Sequence, residues 1–126
     1  VIAEEVESAL LKITQEMNSA VTEFTVAPFV SSDQGKSYHE WFIEFESNPS
    51  DHEAFAMKLD NAMRQKNVYY NDLIEGNILQ PLKITCVKKN GFIDYMKQIG
   101  KLGGQNKVPR LSNDRKIAEV LSSFCG

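Results

Sequence analysis

Tyr38-His39-Glu40-Trp41-Phe42-Ile43-Glu44-Phe45-Glu46 is the stretch on which the fold turns. Its side chains alternate with a period of two: Trp41, Ile43 and Phe45 share one face of a strand, and Glu40, Phe42 and Glu44 share the other. Upstream, Phe24 and Val26 alternate with Glu23 and Thr25 in the same way. Pro28 has no N–H to give a ladder, so it confines that strand to a sheet edge or ends it early. Ser31-Ser32-Asp33-Gln34-Gly35-Lys36 is a turn by composition, and the two strands read as an antiparallel hairpin.

Helices flank the hairpin. Over residues 2–17, Ile2, Val6, Leu10, Ile13 and Met17 recur every three or four positions with glutamates and a lysine between them, which predicts an amphipathic helix. After Asn48-Pro49, Ser50 and Glu53 have capping-box spacing, and Phe55, Leu59, Ala62 and Met63 form the buried stripe of the next helix. Residues 67–76 fit either a short helix or a packed loop. Leu82, Ile84, Cys86 and Val87 give a third strand after Pro81. Asn90-Gly91 then turns the chain into a helix carrying Phe92, Tyr95, Met96, Ile99 and Leu102, ended by Gly100, Gly103 and Gly104. Ser112 or Asn113 is expected to cap a last helix with Ile117, Leu121 and Phe124. One hairpin plus one strand–helix–strand crossover makes the class α+β, a small mixed β-sheet of about three strands packed with helices.

The 126 residues suit a single domain, 1–126, with no linker or repeat dividing it. A net charge of −3 argues against nucleic acid or an anionic membrane as partner. The glutamates beside Trp41, Phe42 and Phe45 also make core packing a better reading of those rings than a base-stacking platform. No apolar run is long enough to span a bilayer. Cys86, expected to be a buried thiol, and Cys125 have no metal-ligand spacing and suggest no disulfide framework, so a cytoplasmic monomer is the expectation. That the chain begins with Val1 rather than methionine fits a piece of something longer.

Most of the sequence lacks a catalytic constellation: no nucleophile elbow, phosphate loop or zinc-binding helix motif is present. His39 is expected to make a structural hydrogen bond and His52 to be a solvated first-turn residue. The exception is Lys101-Leu-Gly-Gly-Gln-Asn-Lys107-Val-Pro-Arg110-Leu-Ser-Asn-Asp-Arg115-Lys116, which puts five of the 14 basic residues into 16 positions against the single acid Asp114. Gly103-Gly104 allows backbone amides to approach a ligand, Pro109 stiffens the segment, and a helix N-terminus follows. Two readings remain open on composition: an anion-binding element, or a solvated loop carrying counter-charges to the acidic helices.

The order of residues says more. Gly100-Lys101-Leu102-Gly103-Gly104-Gln105-Asn106-Lys107-Val108-Pro109-Arg110-Leu111-Ser112-Asn113 resembles the C-terminal signature of the auxin-responsive acyl acid-amido synthetase family, in its bacterial form. His39-Glu40-Trp41-Phe42-Ile43-Glu44-Phe45, Leu59-Asp60, Asn67 with Tyr70, and Gly91-Phe92 with Tyr95-Met96 are similar to the family's segments in the same order.

The resemblance implies a mobile C-terminal lid domain of a larger adenylate-forming enzyme, whose N-terminal adenylating domain, in the same polypeptide, is the partner. That enzyme would use ATP and Mg²⁺ to activate a carboxylate as an acyl-adenylate and pass the acyl group to an amine such as an amino acid. This chain alone would bind neither cofactor and would be inactive. Lys107 matches the family's loop lysine and is the implied catalytic residue, with Gly103, Gly104, Gln105, Asn106 and Arg110 supporting it on the phosphate side. Arg110 either touches phosphate or, the favoured alternative, fixes the loop to the domain. Leu73-Ile74 is apolar where related sequences carry basic residues. The rival reading is a stand-alone regulatory or ligand-sensing α+β module without catalytic activity.

Overall fold

The computed structural model describes residues 1–30, 37–100 and 108–125. The elements run α1 (Ala3–Glu16), β1 (Ala20–Phe29), β2 (Tyr38–Ser47), α2 (His52–Lys66), α3 (Val68–Glu75), β3 (Lys83–Cys86), α4 (Gly91–Gln98) and α5 (Lys116–Leu121), with a closing 3₁₀ turn at Ser122–Phe124. The sheet has three strands in the order β1-β2-β3. β1 pairs antiparallel with β2, which pairs parallel with β3, so the expected mixed α+β sheet is present. β1 lies at the edge, where Pro28 does no harm to a ladder.

The alternation in β2 separates two cores. On one face Trp41 and Ile43, with Phe24 and Val26 from β1, pack against Val6, Leu10 and Ile13 of α1 and against Phe55, Leu59 and Met63 of α2. On the other, Phe42 packs with Ala27, Phe92, Tyr95, Ala118 and Leu121, beneath α4 and α5. Trp41 is 1% exposed and Phe42 is fully buried. Burying an aromatic or aliphatic side chain contributes roughly 1.5–3 kcal/mol each, so both faces of this short sheet are held by helices rather than by pairing alone.

Several local details differ from the sequence expectations. The α2 cap is Asp51, whose carboxylate accepts from Ala54 N–H at 3.1 Å; the Ser50–Glu53 box is not formed. An acid one residue nearer the helix outcompetes the hydroxyl and adds a favourable charge at the positive helix end. Residues 68–75 are helical, with the Asn67 side chain capping through Tyr70 N–H at 2.8 Å. The last helix begins at Lys116, not beside Ser112 or Asn113, because Asp114 accepts from Lys116 N–H at 3.0 Å while Ser112 N–H is taken by the sheet edge. Cys86 is half-buried rather than buried, since β3 leaves its final residue beside solvent. The α4 helix closes at Ile99, followed by Gly100 at φ +73°, a left-handed position that glycine takes without steric cost. Leu102, Gly103, Gly104 and the turn at 31–36 lie outside the described residues.

Candidate functional site

The two stems of the basic segment are described, and both are tied to the sheet. The entering stem is α4. Asn90 adopts φ 67°, and the next two N–H groups at the helix start meet a carboxylate. Glu44, only 3% exposed, accepts from Asn90 N–H at 3.0 Å and from Phe92 N–H at 3.2 Å. Gly91 lies so close to β3 that an added Cβ would fall 2.4 Å from Val87 Cγ1. Phe92 and Tyr95 then anchor α4 in the second core.

The returning stem covers the free edge of β1. Val108 is buried in the second core. The Pro109 carbonyl accepts from Thr25 Oγ1 at 2.6 Å, and the Arg110 carbonyl from Val26 N–H at 3.0 Å. Ser112 N–H returns to the Val26 carbonyl at 2.8 Å, making Leu111 a one-residue parallel partner of Val26. An open row of strand donors and acceptors is thereby satisfied.

Two arginines grip the hairpin from opposite faces. Arg110 pairs with Glu23, donates to the Phe24 carbonyl at 3.3 Å, lies 3.4 Å from Glu7 and covers the Phe24 ring at 4.6 Å. On the Phe42 face, Arg115 donates to Glu40 at 2.8 Å and to the Pro28 carbonyl at 3.3 Å, with the Phe29 ring 5.3 Å away. The second oxygen of Glu40 accepts from Thr85 Oγ1 at 2.5 Å, which carries the network across to β3.

Of the residues singled out in the sequence, Gly103, Gly104, Gln105, Asn106 and Lys107 lie outside the described residues, as does Lys101. Arg110 and Arg115 have guanidinium groups occupied by carboxylates of the domain itself. Lys116 is exposed at the start of α5. Two open grooves adjoin the returning stem. One, of about 470 Å³, runs between α1 and β1 past Thr14, Ser19, Glu23 and Arg110. The other, of about 300 Å³, is bounded by His39, Tyr70, Leu111 and Asn113.

His39 is half-buried with its ring 5.3 Å from that of Tyr70, and burial holds its pKa below the ordinary histidine value. It favours the neutral form and packs. His52 is exposed, with its ring edge-on to Phe45. Burial raises both Cys86 and Cys125, so neither thiol is primed as a nucleophile. Among the described residues no group of three His, Cys, Asp or Glu could hold a metal ion.

Sequence reasoning missed one buried polar cluster outright. Asp60, 5% exposed, accepts from the Tyr70 hydroxyl and from Leu82 N–H at 3.2 Å. The signal was there: an acid directly after Leu59, inside the apolar stripe of α2. This cluster fixes α3 and the entry to β3 against α2, on the face away from α4.

A sequence model of the GH3 family C-terminal domain matches residues 4–116. No curated protein sequence matches significantly. Among solved structures, GH3.15 acyl acid amido synthetase is similar with TM-score 0.71 and 18% identity over 98% of this chain. AtGH3.15 acyl acid amido synthetase in complex with 2,4-DB is similar with TM-score 0.74 and 16% identity over 97% of it. This chain spans 22% and 23% of the length of those two proteins, and at such identities the likeness is one of fold. The family match, from α1 to the first residue of α5, has a firmer consequence: the chain belongs to the GH3 C-terminal domain family.

Proposed function

We propose that the chain is the C-terminal lid domain of an ATP-dependent acyl acid-amido synthetase, and that Lys107 is the residue it delivers to the reaction. The observation that carries this reading is the family match across residues 4–116, which includes the whole basic segment except for its last position's neighbours in α5. The two similar solved proteins bear the name acyl acid amido synthetase, which supports the same activity class here.

The chemistry divides into two steps. A carboxylate oxygen of the acyl substrate attacks the α-phosphorus of ATP, the bond to pyrophosphate breaks, and an acyl-adenylate forms. An amine nitrogen then attacks the acyl carbon, AMP leaves, and the nitrogen loses a proton to give the amide. In the first step two anionic groups must meet. A lysine ammonium carried in by a closing domain lowers their repulsion and stabilises charge developing at the α-phosphate. In the second step a neutral amine attacks, and that cation is not needed. Gly103 and Gly104 would let the backbone pass close to the nucleotide, with Gln105 and Asn106 beside Lys107. Arg110 serves as the loop's fixed point. Its guanidinium is already engaged by Glu23 and Glu7, which favours holding the segment over binding phosphate.

The described residues of this domain offer no metal-holding set. In this reading Mg²⁺ accompanies ATP and is held by the N-terminal adenylating domain, as are the acyl and amine substrates. The test is ATP–pyrophosphate exchange. A polypeptide that joins this domain to an N-terminal adenylating domain should exchange label only when a carboxylic acid substrate is supplied, and residues 1–126 alone should not. Exchange by the isolated domain would overturn the assignment, as would its absence from the longer protein across a broad panel of acids.

A further inference from the structure

Glu40 and Glu44 are two positions apart on β2, on the same face, with Phe42 between them. β2 is the central strand, hydrogen-bonded on both sides, and so the most firmly fixed backbone in the sheet. Glu44 holds the first turn of α4 through Asn90 and Phe92 N–H. Glu40 holds Arg115, and through it the chain that follows the basic segment, while Thr85 fixes the carboxylate from the other side. We propose that Glu40 and Glu44 are paired positioning residues for the lysine-bearing segment, tying its entering and returning stems to one strand. The inference rests on the synthetase reading of Lys107.

Burial makes the case stronger. Glu44 is 3% exposed and the Glu40 side chain 14% exposed. Removing carboxylates from water is costly, and apolar side chains of similar size at such positions are often as stable or more so. Two acids retained under a helical layer are better explained by the geometry they impose than by stability. Both of their partners also lie where that geometry matters: at the start of the helix that leads to Gly100, and five residues beyond Arg110. A cation brought in by domain closure acts only within hydrogen-bond reach, and a misplacement of about 1 Å can cost on the order of 10²-fold in rate. Stems tied to a common strand keep the error in its starting point small.

The experiment uses the full-length protein with Glu44→Gln, Glu40→Gln and Arg115→Lys, beside Lys107→Ala as reference. Arg115 is half-exposed, so its lysine variant tests the same tie with little risk to folding. Adenylation is measured by pyrophosphate exchange, and transfer is measured from pre-made acyl-adenylate and amine. Amide hydrogen exchange is followed over residues 91–99 and 108–112. Expected is a fall of roughly tenfold or more in the adenylation-to-transfer ratio, carried by the adenylation maximal rate rather than by KM for the acid. Faster exchange should be confined to those two stems, with β1 and β2 still protected. A residue that merely supports the fold would lower both half-reactions together, in proportion to the folded fraction, and that result would overturn the proposal. So would an unchanged ratio in all three variants beside a defective Lys107→Ala. If Lys107→Ala itself leaves adenylation intact, the lysine reading has failed and the proposal falls with it, whatever the stems do.

Discussion

Removing one oxygen atom from Tyr70 should destabilise the domain measurably. The ring is 1% exposed, and its hydroxyl donates to Asp60, whose same oxygen also accepts from Leu82 N–H at 3.2 Å. Tyr70→Phe keeps the ring's packing and deletes only that donor. A hydrogen bond to a carboxylate contributes about 1.5–3 kcal/mol, and Asp60 is too buried for solvent to replace it freely. With an unfolding entropy of about 2.1 cal/mol/K per residue, a chain of 126 residues has roughly 0.26 kcal/mol/K. The expected loss in Tm is therefore roughly 6–11 °C, read by circular dichroism melts or scanning calorimetry. Tyr69→Phe is the control: Tyr69 is 82% exposed, and its variant should stay within about 2 °C of the parent. If Tyr70→Phe also melts within about 2 °C of the parent, the Asp60–Tyr70 contact does not hold α3 and the account of that cluster is wrong.

The same hydroxyl predicts a pH dependence. Its pKa is raised first by burial and then by Asp60, so the folded state keeps a proton that the unfolded chain loses near pH 10. Stability should be full below about pH 10 and fall above it, with Tyr70→Phe reducing the slope and leaving the smaller parts due to Tyr38 and Tyr95. Gly91→Ala should cost about 1–3 kcal/mol in urea unfolding, because its Cβ would meet Val87 Cγ1 at 2.4 Å and the Phe124 carbonyl at 3.0 Å. Arg110→Ala should cost no more than about 1 kcal/mol, since its ion pairs are partly exposed, and the loss should shrink in 1 M salt as screening takes effect.

The hairpin, the crossover and the two cores were legible because each rests on a repeated pattern. Trp41, Ile43 and Phe45 against Glu40, Phe42 and Glu44 announce two buried faces once Phe42 is seen among the acids. What periodicity cannot show is where single polar groups find partners. Glu40 and Glu44 read as charges that repel phosphate, yet they are bound internally by Arg115 and by backbone N–H groups far along the chain. Asp60 was legible only as an oddity in an apolar stripe. The sheet-edge role of Val108 to Ser112 has no pattern at all, since Leu111 alone pairs with Val26. Caps were misplaced for a related reason: Asp51 and Asp114 compete with nearby hydroxyls and amides for the same N–H groups, and local spacing does not decide the winner. Of the candidate site, Arg110 was legible as a basic residue, but its choice between phosphate and the domain's own Glu7 and Glu23 required the fold.

The central claim, that this domain brings a lysine to an adenylation reaction, is tested most directly by Lys107→Ala in the full-length protein, assayed in each half-reaction separately. Loss of one preorganised charge donor typically costs about 10²–10³ in rate, whereas loss of a merely structural surface lysine would cost less than about 0.5 kcal/mol. The account predicts a loss of that larger size with ATP and carboxylate, and a near-parental rate with pre-made acyl-adenylate and amine. Equal losses in both half-reactions, or a parental rate in the first, would contradict it.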